Sequence, residues 1–195
     1  MTGFKHFCKT LIDNPNFVVL DTETTGLHDG EICQIAIIDK NQEVLLNTLV
    51  KTKYPIPPDA IDIHGITDEH VKNSPVWDDI AGQVKLLLFG KPVVIYNAVY
   101  DRKMLHQTAD IAGLEKYDWK AYSTFLCAME AYAEFYGNWN DYHQSYRWQT
   151  LTSAAEHFGI EDLSTHNALG DCEATLFVTK SMISAYVGRG MADSG

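Results

Sequence analysis

No apolar run in this sequence approaches the roughly 20 residues a membrane span needs, and the N-terminus lacks the basic, apolar, small-residue layout of a signal peptide. A soluble, cytoplasmic protein with no membrane partner is expected. Cysteine is sparse and scattered: Cys8, Cys33, Cys127 and Cys172 show no C-x-x-C spacing, which excludes a thiolate zinc site and the disulfide framework of a small secreted domain. Free thiols in a reducing compartment are expected instead. Positive charge is also short, with 15 Lys and Arg against 26 Asp and Glu and a formal net charge of −11. Such a chain does not coat a nucleic-acid backbone by bulk electrostatics, so a nucleic-acid partner would have to be held locally. There is no internal repeat and no low-complexity tract. What remains is an ordinary globular composition, 46% hydrophobic over 195 residues, enough for one sizeable core. A single domain over 1–187 and a flexible tail over 188–195 are predicted.

The apolar pattern places strands at Phe17–Asp21, Ile32–Ile38 and Val44–Val50, the last two separated by the turn Asp39-Lys-Asn-Gln42, so the chain opens as a meander. Tyr54-Pro-Ile-Pro-Pro58 suits neither a central strand nor a helix interior and reads as a loop. Ser74-Pro75 opens a helix whose apolar positions run from Val76 to Leu88, ended by Gly90 and Pro92. Pro92–Tyr96 reads as a buried strand leading into a helix over about 101–112. A short strand is predicted at Tyr117–Ala121, followed by helices over about 123–136, 150–158 and 166–186. Five strands, antiparallel first and then alternating with helices, describe an α/β domain with one mixed sheet flanked by helices.

Asp21-Thr-Glu-Thr-Thr-Gly26 follows the first strand. Residues i and i+2 of a strand share a face, so Asp21 and Glu23 project side by side, a geometry that suits a divalent metal. The bare pattern is weak, since it recurs at Asp29/Glu31 and Asp171/Glu173, and a strand-end turn is the ordinary explanation for any one of them. Context separates them. Asp101 begins a helix directly after the strand ending at Tyr96, and ligands of such sheets sit in the crevice beyond the strand ends. Asp171 lies one turn into the last helix, with His166 five residues before it. Hard cations such as Mg²⁺ prefer carboxylate oxygens, and two of them roughly 4 Å apart stabilise both the attacking and the leaving oxygen of phosphoryl transfer. An imidazole, with an unperturbed pKa of about 6.5, deprotonates water effectively near neutral pH.

In order and spacing, Asp21-Thr-Glu-Thr-Thr-Gly26, Asn97-Ala-Val-Tyr-Asp101 and His166-Asn-Ala-Leu-Gly-Asp171 resemble the three motifs of the DEDD exonucleases, in the subgroup with a catalytic histidine typified by the proofreading subunit of bacterial DNA polymerase III. The resemblance covers about residues 15–185. It implies a ribonuclease H-like fold and hydrolysis of nucleic acid from a 3′ end with release of nucleoside monophosphates. It further implies two divalent cations, Mg²⁺ or Mn²⁺, held by Asp21, Glu23, Asp101 and Asp171, with His166 as general base. Asn167 stands where a tyrosine marks the other subgroup. Pro57-Pro-Asp-Ala-Ile-Asp-Ile-His64-Gly-Ile-Thr67 is similar to a further stretch of the family, which makes Asp59 and His64 candidate contacts to the terminal nucleotide, with Thr24 to Leu27 as a wedge beneath its base. His64 has loop anchoring as its alternative, and His166 has helix capping.

A DNA 3′ end, single-stranded or frayed, is the favoured substrate. Action on RNA ends or short oligoribonucleotides is the alternative, and a non-catalytic, polymerase-associated module that binds 3′ ends is the alternative of another class. The chain carries no polymerase domain, so proofreading would need a partner, whereas repair or degradation would not. The other histidines have no convergent partners in sequence. Seven aromatics between Tyr132 and Trp148 are read in two ways, as a base-stacking or partner surface and as cover for the neighbouring helices.

Overall fold

In the computed structural model, which describes residues 3–160 and 166–192, an N-terminal helix α1 (Phe4–Asp13) leads into a meander of three strands, β1 (Val18–Thr24), β2 (Ile32–Asp39) and β3 (Val44–Leu49). Two short helices, α2 (Pro58–His64) and α3 (Asp68–Val71), precede α4 (Trp77–Leu88). The chain then runs through β4 (Pro92–Ile95), α5 (Ala98–Ala112), α6 (Trp119–Tyr122), β5 (Thr124–Cys127) and α7 (Ala128–Tyr136). A small hairpin, β6 (Trp139–Asn140) and β7 (Ser145–Tyr146), is followed by α8 (Leu151–His157) and the long α9 (Ala168–Ala192). The main sheet has five strands in the order β3-β2-β1-β4-β5. β1 pairs antiparallel with β2 and parallel with β4, so the mixed sheet expected from the sequence is present and β1 lies at its centre.

Strand alternation divides the core in two. Val19, Ala36, Ile38 and Val94 face one side, where Phe7, Leu176, Val178 and Met182 cover them from α1 and α9. Val18, Leu20, Ile35, Ile37, Val93 and Ile95 face the other, under Trp77, Val84, Met104 and Leu105 of α4 and α5. α9 lies across β1 and β2. The small Cys172 permits that approach, its thiol donating to the carbonyls of Val19 and Ala36 at 3.7 and 3.4 Å.

Four elements differ from the sequence expectation. The strand predicted at Tyr117–Ala121 lies later, at Thr124–Cys127, because the Asp118 carboxylate accepts the amides of Lys120 and Ala121 and starts the helical turn α6 instead. The following helix correspondingly begins at Ala128 rather than Ser123. The segment ahead of the first predicted strand, for which no element was expected, forms α1, with Phe4, Phe7, Cys8 and Leu11 buried at helical spacing and the Phe4 amide bonded to Glu134 at 2.9 Å. The last helix continues to Ala192, into the range expected as a tail, and Arg189 lies 4.9 Å from the Phe135 ring centroid and 5.8 Å from that of Phe4. That cation–π contact gives the helix end a partner. No described helix is long and apolar enough to cross a membrane.

Candidate active site

Alternation along β1 decides which way its polar end points. Asp21 and Glu23 continue the row of Val19, toward α9, and Thr22 continues the row of Val18 and Leu20, toward α5. α9 brings Asp171 to the first pair, and carboxylate oxygens of Asp21, Glu23 and Asp171 lie within 4.8 Å of one another. Asp101 stands outside that group of three. It comes from the first turn of α5 on the other face, is buried, and accepts a 2.8 Å hydrogen bond from the Thr22 hydroxyl. Thr22, between the two metal-type carboxylates in sequence, thus orients a third.

The electrostatics of this cluster are unfavourable without a cation. Burial, then repulsion from Asp101, Asp171 and Glu23, holds the Asp21 carboxyl well above the usual range. Burial and the charges of Asp171 and Asp101 push Glu23 up to about 7. Asp101 is pushed up to about 7 by burial, against the lowering effect of the Thr22 hydroxyl. Burial also raises Asp171, partly offset by the main-chain amide and the charge of His166. Asp171 Oδ1 is buried with no hydrogen-bond partner among the described residues. An orphaned carboxylate oxygen within a cluster of mutually repelling carboxylates fits a hard divalent cation, which takes oxygen ligands and supplies the missing positive charge.

His166 is exposed, immediately ahead of α9, with a positive φ of 77°. The helix is capped by Asn167, whose side-chain oxygen accepts the Gly170 amide at 2.9 Å, so capping does not occupy His166. Gln34 of β2 accepts the Ala168 amide at 3.2 Å and fixes the helix start against the sheet.

Thr24, Leu27, Asp59 and His64 line one pocket of ≈260 Å³ beside Glu23. His64 is committed to the chain on both ring nitrogens: Nδ1 accepts the Ile66 amide at 3.0 Å, which leaves the proton on Nε2, 3.3 Å from the Thr24 carbonyl. Burial lowers its pKa and favours that neutral form. Its place is therefore in the pocket wall, as the anchor between α2 and the end of β1. The sequence reading missed what holds the opposite wall. Tyr100, Lys103, Gln107 and Thr108, on one face of α5, bond respectively to Thr24 and Gly26, to Leu27 and His28, to Gly30, and to Ile32. The three- and four-residue spacing of Tyr100, Lys103 and Gln107 was a signal available in the sequence. Glu31, from the Asp29/Glu31 recurrence of the pattern, is buried and accepts the amides of Lys53 and Tyr54 at 2.8 and 2.9 Å, while Glu173 bonds to Gln42. Neither belongs to the carboxylate group. A larger cavity of ≈430 Å³ opens beside Glu31 and Trp77, and neither the three clustered carboxylates nor Asp101 lines it.

The RNase T family model, described as exonuclease, matches residues 18–179 and so spans all three motifs. The chain belongs to the RNase T exonuclease family. This exonuclease is 44% identical over 172 residues to the uncharacterized exonuclease CP81 of Escherichia phage 186, covering 85% of its own length and 87% of the phage protein. It is 28% identical over 203 residues to a DNA polymerase III subunit epsilon-like protein of Rhodobacter capsulatus, with 99% of the chain but only 27% of that relative covered. Among solved structures, the zinc-bound E. coli exonuclease I complex with single-stranded DNA superposes with a TM-score of 0.68 at 22% identity, over 85% of this chain and 39% of that one. The exonuclease has the ribonuclease H-like fold, acts on nucleic acid, and belongs to a family that requires divalent metal ions.

Proposed function

We propose that this exonuclease hydrolyses DNA in the 3′ to 5′ direction from single-stranded or frayed ends, releasing nucleoside monophosphates, with Asp21, Glu23, Asp101 and Asp171 holding two Mg²⁺ or Mn²⁺ ions and His166 as general base. The observation that carries the reading is the convergence of Asp21, Glu23 and Asp171 within 4.8 Å around an unpartnered Asp171 oxygen, beside the pocket lined by Thr24, Leu27, Asp59 and His64. The ions would supply Lewis-acid stabilisation of the charge that develops on the phosphoryl oxygens. The pocket lined by Thr24, Leu27 and Asp59 receives the terminal nucleotide, with His64 holding its wall. An imidazole nitrogen of His166 takes a proton from the attacking water, whose oxygen bonds to phosphorus as the bond to the 3′ oxygen breaks. The leaving 3′ oxygen takes a proton from solvent, so the shortened strand ends in a 3′ hydroxyl and the departing nucleotide carries the 5′ phosphate. Exposure ahead of α9 lets His166 reach a substrate seated over the carboxylates.

Two likenesses support the choice of DNA and of the 3′ end: the complex of E. coli exonuclease I with single-stranded DNA, and the relative named for the epsilon subunit of DNA polymerase III. Association with a polymerase is part of the proposal on the second ground, and co-purification with one tests it. Digestion of 3′-labelled and 5′-labelled single strands of DNA and RNA, side by side, tests polarity and sugar preference together. Release of labelled monophosphate first from the 3′-labelled DNA is expected, abolished by chelator and restored by Mg²⁺ or Mn²⁺. Removal of the general base in His166→Ala should lower kcat by about 10²–10⁴ while cation binding, followed by calorimetry, persists. Near-parental turnover by His166→Ala at neutral pH would defeat the assignment, and activity indifferent to chelator would defeat the metal site.

A further inference from the structure

Beyond the carboxylates, a second pocket of ≈320 Å³ shares two walls with the first: Leu27 and Tyr100 line both, forming a ridge between them. On the far side of the ridge stand Val99, Lys103, Met129 and Trp148. Three of these apolar residues are open to solvent, Leu27 at 70%, Val99 at 60% and Trp148 at 66% exposure, which makes an exposed apolar patch beside the carboxylates. Apart from Tyr142, which is exposed against His143, the other aromatics of this region pack on one another. Tyr132 and Phe135 pack on Phe158, and Trp139 sets its edge against Tyr146. Trp148 makes no ring pair among the described residues. Yet its backbone is fixed on both sides, since the Arg147 amide donates to Asn138 at 2.8 Å and the Tyr96 hydroxyl to the Gln149 carbonyl at 2.9 Å. An exposed indole on a fixed backbone is pre-organised to receive a planar ligand.

Lys103 supplies the charge that the molecule as a whole lacks. Its ammonium donates to the carbonyls of Leu27 and His28 at 3.3 and 3.0 Å, which places it at the ridge and leaves one of its three donors open. Given the 3′ exonuclease reading on which this inference rests, we infer that Trp148 is the stacking platform for the base next to the 3′-terminal one, with Lys103 meeting a neighbouring phosphate. The ligand is a single strand, because the Watson–Crick partner of that base would oppose its transfer onto the indole. Every base has a π-face, so the platform tolerates any sequence.

Trp148→Ala should weaken binding of a 3′ single-stranded oligonucleotide roughly tenfold, measured by fluorescence anisotropy with Ca²⁺ replacing Mg²⁺, and Trp148→Phe should recover most of the loss. An abasic site at the penultimate position should cost the parent protein a similar factor and cost Trp148→Ala almost nothing further, because both changes remove the same contact. Independent, additive losses would overturn the inference by showing that Trp148 acts through folding. Unchanged binding by Trp148→Ala would also overturn it and leave the indole as a surface for a protein partner. Either failure is distinguishable from failure of the exonuclease reading, in which the parent protein itself would release no monophosphate from a 3′ end.

Discussion

At the residue scale, Thr22 shows how a side chain on the wrong face of a strand still serves the site. Its hydroxyl cannot join Asp21 and Glu23, but it reaches Asp101 on α5 and lowers that carboxyl against the effect of burial. Thr22→Val keeps the shape and removes the donor. The Asp101 pKa then rises further, so the acid limb of the activity profile should move to higher pH, with activity at pH 6 reduced more than at pH 8; a pH–rate profile of the variant checks this. A profile displaced downward equally at all pH values would show that Thr22 matters only for packing. The carboxylate pair itself was readable from the two-residue repeat of a strand, whereas the Thr22–Asp101 bond was not, because it joins residues 79 apart in sequence.

At the element scale, the segment from Thr24 to Glu31 forms the turn between the carboxylates and β2, and it is held by one face of α5 and by its own closure. Gly30 is required for that closure: a Cβ there would lie 2.3 Å from the Gly26 carbonyl oxygen and 2.5 Å from its nitrogen, both backbone atoms. Gly30→Ala should therefore destabilise the fold by about 2–4 kcal/mol and raise KM, the first read from thermal melting and the second from steady-state digestion. A melting curve unchanged from the parent would show that the turn relaxes freely. Helices with a clear apolar stripe, such as α4 and α9, were legible in the sequence. β5 was not, since Thr124–Cys127 is short and becomes a strand by pairing in parallel with β4. α1 escaped because lysines and histidine between its buried positions gave a polar average, although the apolar spacing was helical.

At the scale of the whole molecule, the raised carboxyls of the candidate site predict a cost to stability that a bound cation should offset. The raised carboxyls bind protons more readily in the folded than in the unfolded chain, so between about pH 4.5 and 7 the native state carries more protons. Stability of the cation-free protein therefore falls as pH rises through that window and stays low above it. Melting in chelator should drop by several degrees from pH 5 to pH 8, and added Mg²⁺ or Mn²⁺ should raise the midpoint more at pH 8 than at pH 5. A midpoint that rises with pH in chelator would contradict the repulsive cluster. The surplus of acidic over basic residues is consistent with this arrangement, because part of it is concentrated where cations are needed.

By itself the sequence determined the family, the central strand and the identity of the clustered carboxylates, because alternation in a strand and the three motifs act over a few residues. It also separated these from Asp29 and Glu173, which take no part in the cluster. Only the tertiary structure decided that Asp101 arrives from the opposite face, that His64 is bound on both nitrogens, that Asn167 rather than His166 caps the last helix, and that Trp148 stands across the Leu27 and Tyr100 ridge from the pocket beside Glu23. Each of these depends on contacts between segments far apart in the chain, and packing alone sets which segments meet.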